Sequence, residues 1–377
     1  MSLTLSALTR ALSAIAPLEL AEEWDNVGLL VDPRARGAEL EVERVLLTID
    51  ATPPVVEEAA RLGVECLVAY HPPLFRAAKR FAASRDAALF AAARHGFAIY
   101  SPHTALDAAP GGLNDWLAEA FGAGRVEPIT HSALPEPGAE LKLVVFVPET
   151  HADALREALA EHGAGVIGNY SRCSFNLRGE GTFYGEAGAN PAVGQAERLE
   201  RAPELRLEMV CARRALPGLA GAIARHHPYE EPAWEAYPLA PKPRPGAGAG
   251  RVVELATALP LTELVARVKH HLGLTQLRVA ASAPHTEGAL VRRVAVSAGA
   301  GGSTFEGARD ADVFVTGEMR HHDVLARLAE GASVVLCEHT NTERGYLPRL
   351  RERLLELTGG GVEVRLAESD REPLSFA

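Results

Sequence analysis

Short apolar runs alternate with amphipathic stretches along most of this chain. After residue 44 the apolar run RVLLTID precedes PPVVEEAARLG, which begins with two prolines, has helical spacing and ends in glycine. The apolar runs VECLVAY and FAIYS follow, each separated from the next by a segment that contains a helical pattern, and an amphipathic helix is predicted from Leu5 to Ile15. This alternation is typical of crossover units, which build a largely parallel sheet covered by helices on both faces.

The same alternation returns after about residue 250. Strands are predicted at RVVELAT, LRVAA, VRRVAVSAG, DVFVTG, SVVLCE and GVEVRLA, and helices at 261–272, 321–330 and 343–357. The two outer parts of the chain are therefore predicted to be related α/β layers.

The segment from about 135 to 245 has a different pattern. Its predicted order is strand, helix, two strands, helix and strand, which is the ferredoxin-like plan. The flanking stretches ALPEPGAE and PKPRPGAGAG have the proline and glycine content of linkers, and AERLERAPELRLE is interpreted as a solvated stretch. We therefore predict a small domain inserted into a larger α/β protein.

Composition and charge narrow the function classes. The 377 residues are 47% hydrophobic and 23% charged, enough for the cores of two or three domains. The net charge of -11 repels phosphate backbones, so broad nucleic-acid binding is not expected. The four cysteines form no C-x-x-C pair and are expected to be small buried residues, and neither a secretion signal nor a membrane span is predicted. A cytoplasmic location is therefore expected.

Potential metal ligands follow three of the apolar runs. His71 follows LVAY, His103 and Asp107 lie in a predicted loop after AIYS, and His339 and Glu343 follow SVVL, where a strand is predicted to lead into a helix. Each has an ordinary alternative explanation, such as a structural histidine, a helix cap or a carboxylate in a first helical turn. Since parallel strands end at one edge of a sheet, these side chains are expected to converge there. Imidazole and carboxylate ligands suit Zn, Fe, Mn or Co, and open positions on such an ion activate water.

Four other motifs carry weaker signals. The glycines of SAGAGGS either form an anion-binding loop or, as we favour, a tight turn. In GEMRHHD, Glu318, His321 and His322 either orient metal ligands or simply begin a helix. Asp25 and Asn26 in EEWDN are interpreted as turn residues, and HHPYEEPAW as a rigid entry to an edge strand.

Five of these motifs together resemble the Nif-three-like family, whose bacterial members are often labelled GTP cyclohydrolase I type 2 homologues. They are EEWDNVGLLV, YHPPLF, SPHTALDAAPGGLNDWLA, TGEMRHHDVL and LCEHTNTERGYL. The motif HPYEEPAW resembles the CutA/PII-like module of longer members. The resemblance implies two similar α/β/α layered core domains at 1–132 and 249–377, which form a metal cleft, and an inserted CutA/PII-like, ferredoxin-like domain at 133–248.

The resemblance also implies a site and an assembly. Matching the motifs makes His71, Asp107, His339 and Glu343 the ligands of one or two divalent metal ions per chain. His103 and His322 are their implied neighbours. Family members form toroidal homohexamers, so self-association is expected, and no membrane partner is.

Position 70 departs from the pattern of many bacterial members. Tyr70 stands where these members carry a histidine. The tyrosine either ligates a metal as a phenolate or donates a hydrogen bond, and the second metal position is expected to be weakened.

Two functions are compatible with these residues. The first is a metal-dependent hydrolase of a nucleotide or another small phosphorylated molecule, in which Glu343 bridges two metals and His103 or His322 shuttles a proton. The second is a non-enzymatic, metal-binding or regulatory scaffold that assembles partners through its ring and its insert.

Overall fold

The computed structural model describes residues 2–35 and 38–374. The chain divides into two compact units. Unit 1 contains the outer segments, up to Ser132 and from Arg244 onward, and unit 2 is Ala133–Pro243. In the part of the chain that the structure describes, every helix is too short or too polar to cross a membrane.

The first outer segment of unit 1 alternates strands and helices as its pattern predicts. The strands are β1 (Leu3–Thr4), β2 (Gly28–Val31), β3 (Glu41–Val42), β4 (Arg44–Thr48), β5 (Cys66–Ala69), β6 (Ala98–Ser101), β7 (Gly124–Glu127) and β8 (Thr130–Leu134). The helices are α1 (Leu5–Ile15), α2 (Pro53–Leu62), α3 (Ala87–His95), α4 (His103–Ala108) and α5 (Leu113–Glu119). The bounds of α2 follow from local chemistry, because prolines occupy its first turn and Gly63 ends it in the left-handed conformation.

Unit 2 is a four-stranded antiparallel sheet covered on one face by two helices. Its elements are β9 (Leu141–Pro148), α6 (Ala152–Glu161), β10 (Phe175–Tyr184), β11 (Leu199–Cys211), α7 (Leu216–His226) and β12 (Trp234–Pro238). The strand order is β10-β11-β9-β12. Leu143, Val145 and Leu207 pack under the helices against Leu155 and Leu219.

Two sequence interpretations in and beside unit 2 are wrong. The stretch read as solvated, AERLERAPELRLE, lies mostly in β11, because its charged residues alternate with buried ones such as Leu205 and Leu207. Of the four cysteines expected to be buried, Cys173 is only partly buried.

The last outer segment returns to α/β alternation. Its strands are β13 (Lys242–Ala249), β14 (Arg251–Pro260), β15 (Arg278–Ala280), β16 (Leu290–Ser297), β17 (Val313–Thr316), β18 (Ser333–Leu336) and β19 (Glu363–Leu366). Its helices are α8 (Leu261–Leu272), α9 (Ala283–Thr286), α10 (His321–Ala329) and α11 (Leu347–Leu357). The predicted linker PKPRPGAGAG is largely β13, which pairs with β8 in a two-stranded ribbon where prolines are tolerated.

Unit 1 contains two larger sheets that exchange strands between the outer segments. In the sheet β19-β4-β5-β6-β2, four strands are parallel and β2 is antiparallel at the edge. In the sheet β15-β18-β17-β16-β14-β7, the neighbouring pairs β16-β17 and β17-β18 are parallel and the other three neighbouring pairs are antiparallel. The second sheet is thus less parallel than predicted. Since β19 completes the first sheet and β7 completes the second, the two outer segments form one body.

Candidate metal centre

His71, His339 and Glu343 converge where strands of the two larger sheets end. His71 follows β5 of the first sheet, and His339 follows β18 of the second. The two imidazole centroids lie 5.5 Å apart. One potential ligand atom from each of the three residues lies within 4.8 Å of the others, so the structure contains a candidate metal-binding triad.

Glu343 is the buried member of the triad, and one of its carboxylate oxygens lacks a hydrogen-bond partner among the described residues. Its side chain lies between the two imidazoles: Oε2 is 3.6 Å from His71 Nε2, and Oε1 is 3.4 Å from His339 Nε2. The residue is 1% exposed, and within the described ranges Oε2 has no hydrogen-bond partner. Burial, followed by the charges of Asp107 and Asp50, raises the pKa of Glu343 well above its ordinary value. A buried carboxylate in this position is costly unless a cation compensates it.

Outer carboxylates orient both imidazoles of the triad. His71 Nδ1 lies 2.9 Å from Asp50 Oδ1, and His339 Nδ1 lies 2.5 Å from Glu318 Oε1. A carboxylate accepts a hydrogen bond, so each Nδ1 carries the proton and each Nε2 presents its lone pair toward Glu343. Burial is the largest single influence on the pKa of Asp50 and acts to raise it, but the hydrogen bond to His71 and the charges of His71, Arg344 and His339 together leave that pKa below its ordinary value. This donor set fits a divalent cation.

His103 is held in the same way beside the triad. Its Nδ1 lies 2.8 Å from Asp25 Oδ1, and its ring centroid lies 5.4 Å from that of His71. Asp25 also accepts hydrogen bonds from the backbone and hydroxyl of Thr104. The loop EEWDN, interpreted from sequence as a turn, therefore also fixes a histidine of the site.

Tyr70 donates a hydrogen bond to Asp107 over 2.6 Å. Burial and the Asp107 charge raise the pKa of Tyr70 well above its ordinary value, so the residue is a neutral donor. Burial likewise raises the pKa of Asp107. His103 and Asp107 lie on α4 and not in the predicted loop, because the chain turns into a helix directly after Pro102. Of the two roles left open for Tyr70, the structure shows hydrogen-bond donation.

The backbone around the site departs from regular helix. The chain between His339 and Glu343 forms a 3-10 turn at Thr340–Thr342, a second turn covers Arg344–Tyr346, and α11 begins only at Leu347. The predicted helix from 343 therefore starts four residues late. Glu338 and His103 have φ angles of 65° and 28°, which residues other than glycine rarely adopt. Backbone strain of this kind is concentrated at functional sites.

The glycine loop after β16 is a tight turn against the triad. The N–H of Gly299 donates to Thr342 Oγ1 and that of Gly301 to Thr316 Oγ1, so these amides do not face an anion. The favoured interpretation of a structural turn is confirmed. Gly299 has a φ of 58°, and a Cβ there would lie 2.9 Å from His339 Nε2 and 3.0 Å from Glu343 Oε1.

We therefore expect Gly299→Ala to weaken metal binding by about 10–100-fold, the range seen when the surroundings of metal ligands are disturbed. The added methyl group would displace two ligand atoms, and calorimetric titration of the metal-free protein with Zn²⁺ or Mn²⁺ measures the loss. Gly302→Ala controls for loop position, because its Cβ would meet only Asp323 Oδ2 at 3.7 Å. Gly96→Ala controls for backbone strain, because Gly96 also has a positive φ, of 73°, but a Cβ there would meet nothing within 4 Å. Equal affinity in Gly299→Ala and both controls would contradict the placement of the ion.

The structure does not bring every sequence candidate to the triad. His322 is exposed in the first turn of α10, with its ring 5.5 Å from that of His321. Conversely, Asp50 was not among the residues expected at the site, although it follows the apolar run RVLLTI as the other candidates follow their runs. Glu318 was considered as an orienting residue and occupies that position.

Comparisons with known proteins identify the family of this chain. The family model described as Duf34/NIF3 (NGG1p interacting factor 3) matches residues 3–373. A GTP cyclohydrolase 1 type 2 homolog of Halalkalibacterium halodurans is 37% identical over 96% of this chain and 95% of its own length. The human NIF3-like protein 1 is 34% identical over 98% and 92%. The crystal structure of a Bacillus cereus protein related to NIF3 superposes with a TM-score of 0.72 at 30% identity, covering 100% of this chain and 99% of that one. The chain belongs to the Duf34/NIF3 family.

Proposed function

We propose that this protein is a metal-dependent hydrolase of a nucleotide or another small phosphorylated molecule. The observation that carries the proposal is the buried Glu343, whose Oε2 lacks a partner within the described ranges and faces His71 Nε2. His71, His339 and Glu343 would hold one divalent cation, of Zn, Fe, Mn or Co. A bound cation of this kind supplies Lewis-acid activation of water.

Asp107 and His103 would complete a second, weaker cation position with Glu343. The charge of Asp107 acts on Glu343, and His103 has its Nδ1 fixed by Asp25. One oxygen of Asp107 already accepts the Tyr70 hydroxyl, which reduces what this carboxylate offers an ion. In a chain with only one cation bound, His103 Nε2 is free to hold and transfer a proton beside the triad.

An aromatic pair beside the site favours a substrate with a planar ring. A cavity of about 480 Å³ adjoins the triad and is lined in part by Trp24, His103 and Glu343. Trp24 and Phe75 are 60% and 41% exposed, their ring centroids lie 5.7 Å apart, and each centroid is 6.1 Å from that of His103. Exposed aromatic rings beside a cavity are suited to stack a heteroaromatic base.

The experiment compares metal-free protein with protein reloaded with each candidate metal, using GTP, other nucleoside triphosphates and ring-free inorganic triphosphate. GTP belongs in the panel because relatives carry the name GTP cyclohydrolase 1 type 2 homolog. Turnover should require metal. Trp24→Ala should raise KM for nucleotides by about tenfold, since stacking on one base contributes that much or more, and leave KM for triphosphate unchanged. Trp234→Ala, in unit 2, is the matched control. Absence of turnover with every metal and substrate would refute the hydrolase.

A non-enzymatic scaffold is the second candidate, and an exposed apolar group in unit 2 favours it. Val166, Ile167 and Tyr170 are exposed large hydrophobic residues close together in the chain, and such groups often mark contact surfaces. Unit 2 would then be an inserted ferredoxin-like module of the CutA/PII type in a homohexamer, and unit 1 two similar α/β/α layers that meet at the metal. Sedimentation should show an assembly that Tyr170→Ser weakens while metal content stays the same. A monomeric parent protein would exclude the ring.

A further inference from the structure

A short segment after β19, residues 367–372, runs from the first sheet to the surroundings of the metal centre. It continues from the strand that pairs with β4. The amides of Glu368 and Ser369 donate to the two carboxylate oxygens of Glu58, at 3.0 and 2.8 Å. Glu58 is itself buried, on α2. The path of the segment is therefore fixed before it reaches the residues that support the triad.

Asp370 in this segment contacts one side of the metal centre through Ile49. The Asp370 side chain is 3% exposed, and its Oδ2 accepts the N–H of Ile49 over 2.9 Å. The carbonyl oxygen of Ile49 accepts the N–H of His71 over 3.0 Å. The next residue, Asp50, orients the imidazole of His71. Asp370 thus holds the stretch of chain that fixes both the backbone and the ring of one metal ligand.

The other oxygen of Asp370 contacts the opposite side of the centre through Arg344. Oδ1 lies 3.1 Å from Nη2 of Arg344, which directly follows Glu343 in the chain. The second terminal nitrogen of the same guanidinium donates to Thr340 Oγ1 over 2.8 Å. The Thr340 hydroxyl in turn donates to Glu372 of the same segment. Asp370 and Arg344 therefore hold both ends of the turn that leads into Glu343.

One buried carboxylate thus joins two ligand-bearing parts of the chain that are far apart in sequence. His71 follows β5, whereas His339 and Glu343 follow β18, and their ligand atoms lie within 4.8 Å of one another. Groups that hydrogen-bond the surroundings of metal ligands set the geometry of a site. Removal of a buried acceptor leaves its donors unpaired, so both sides of the centre would lose a contact at once.

We propose that Asp370 is a positioning residue of the metal centre, which keeps His71 and Glu343 at the spacing that one divalent cation requires. It acts through Ile49 and Arg344 and not by contact with the ion. The inference rests on the cation position of the proposed function and adds to it a residue that lies outside the triad.

Asp370→Asn tests the proposal on the full-length protein. Asparagine has the same size but offers one acceptor oxygen to two donors, so its amide group faces an N–H of either Ile49 or Arg344. Affinity for Zn²⁺ or Mn²⁺, measured by calorimetric titration of the metal-free protein, should fall by about 10–100-fold. The absorption spectrum of the Co²⁺-loaded protein should change as well, because it reports the arrangement of ligands around the ion.

Two control variants separate this role from charge and from stability. Glu368→Gln removes the same charge from the same segment, at an exposed position whose contact with Glu58 is made by the backbone N–H. Leu264→Ala truncates a fully buried side chain of α8 and lowers the stability of unit 1. Both variants should keep the metal affinity and the Co²⁺ spectrum of the parent.

Arg344→Lys is the second test, and it decides the case if Asp370→Asn does not fold. Lysine keeps the positive charge that acts on Glu343. A single ammonium group cannot bridge Asp370 and Thr340 as the planar guanidinium does. Metal affinity should therefore fall by about tenfold, at the lower end of the range for groups around metal ligands.

Three results would overturn the proposal. The first is the affinity and Co²⁺ spectrum of the parent in Asp370→Asn or, if that protein does not fold, in Arg344→Lys. The second is an equal loss of affinity in Asp370→Asn and Leu264→Ala, which would report stability alone. Either result leaves the proposed function intact as long as the parent binds metal. The third is a parent protein that binds none of these metals, which would refute the proposed function as well.

Discussion

Glu343→Gln is expected to eliminate metal binding and, in the metal-free protein, to increase stability. The two effects have opposite signs because the carboxylate serves only the ion. Its Oε2 has no partner in the described part of the chain, and Asp107 and Asp50 repel it. Removing the charge ends the cost of burying it as well as this repulsion, a gain of about 1–3 kcal/mol, the usual cost of a buried polar group without a partner.

The loss of affinity should exceed the roughly 10–100-fold that follows removal of a residue that only orients a ligand. Metal analysis and urea unfolding of the metal-free proteins measure the two effects separately. Glu356→Gln, at an exposed position on α11, is the matched control and should change neither quantity. A Glu343→Gln protein that keeps its metal, or that is less stable than the metal-free parent, would show that the carboxylate has a structural partner.

Arg251→Met is expected to cost about 3–5 kcal/mol of stability, the largest structural effect among these predictions. Arg251 is 1% exposed, and its guanidinium group joins the two outer segments of unit 1. It donates to both carboxylate oxygens of Asp115, at 2.5 and 3.0 Å, and to the carbonyl oxygens of Ala109, Gly246, Gly248 and Gly250. Methionine fills similar volume and donates nothing, so these acceptors lose their partners.

The loss of stability within unit 1 can be measured by hydrogen exchange of the amides in β14 and α5, resolved by mass spectrometry. Arg349→Met is the matched control, because Arg349 is half-exposed on α11 and its partner Glu119 lies at 3.5 Å. Surface changes of that kind stay within about 0.5 kcal/mol. A destabilisation by Arg251→Met no larger than the control's would mean that water replaces the guanidinium.

The sequence predicted helices best where local chemistry begins and ends them. Helix α8 has its predicted bounds, Leu261–Leu272, because Gly273 ends it in the left-handed conformation. The direction of the edge strands was not predictable, since β7 and β15 are antiparallel to partners that lie far away in the chain. The apolar pattern of a strand is the same in either direction.

The three residues of the metal-binding triad were predictable from the sequence, whereas the residues that orient the histidines of the site were less so. His71, His339 and Glu343 follow apolar runs, and this position was enough to predict that their side chains meet at the edge of a sheet. Asp25 had no such signal, because its partner His103 lies 78 residues further along the chain. The 3-10 turns before α11 were not predictable either, since the sequence from 343 onward was interpreted as one continuous helix.

The pairing of β8 with β13 has a consequence for the length of chain that can join these two strands. The chain leaves unit 1 along one strand of the ribbon and returns along the other. A hairpin turn would already hold these two points together, and the entropy of closing a loop grows only slowly with its length. A long folded segment between β8 and β13 therefore costs unit 1 little more in loop-closure entropy than a short turn would.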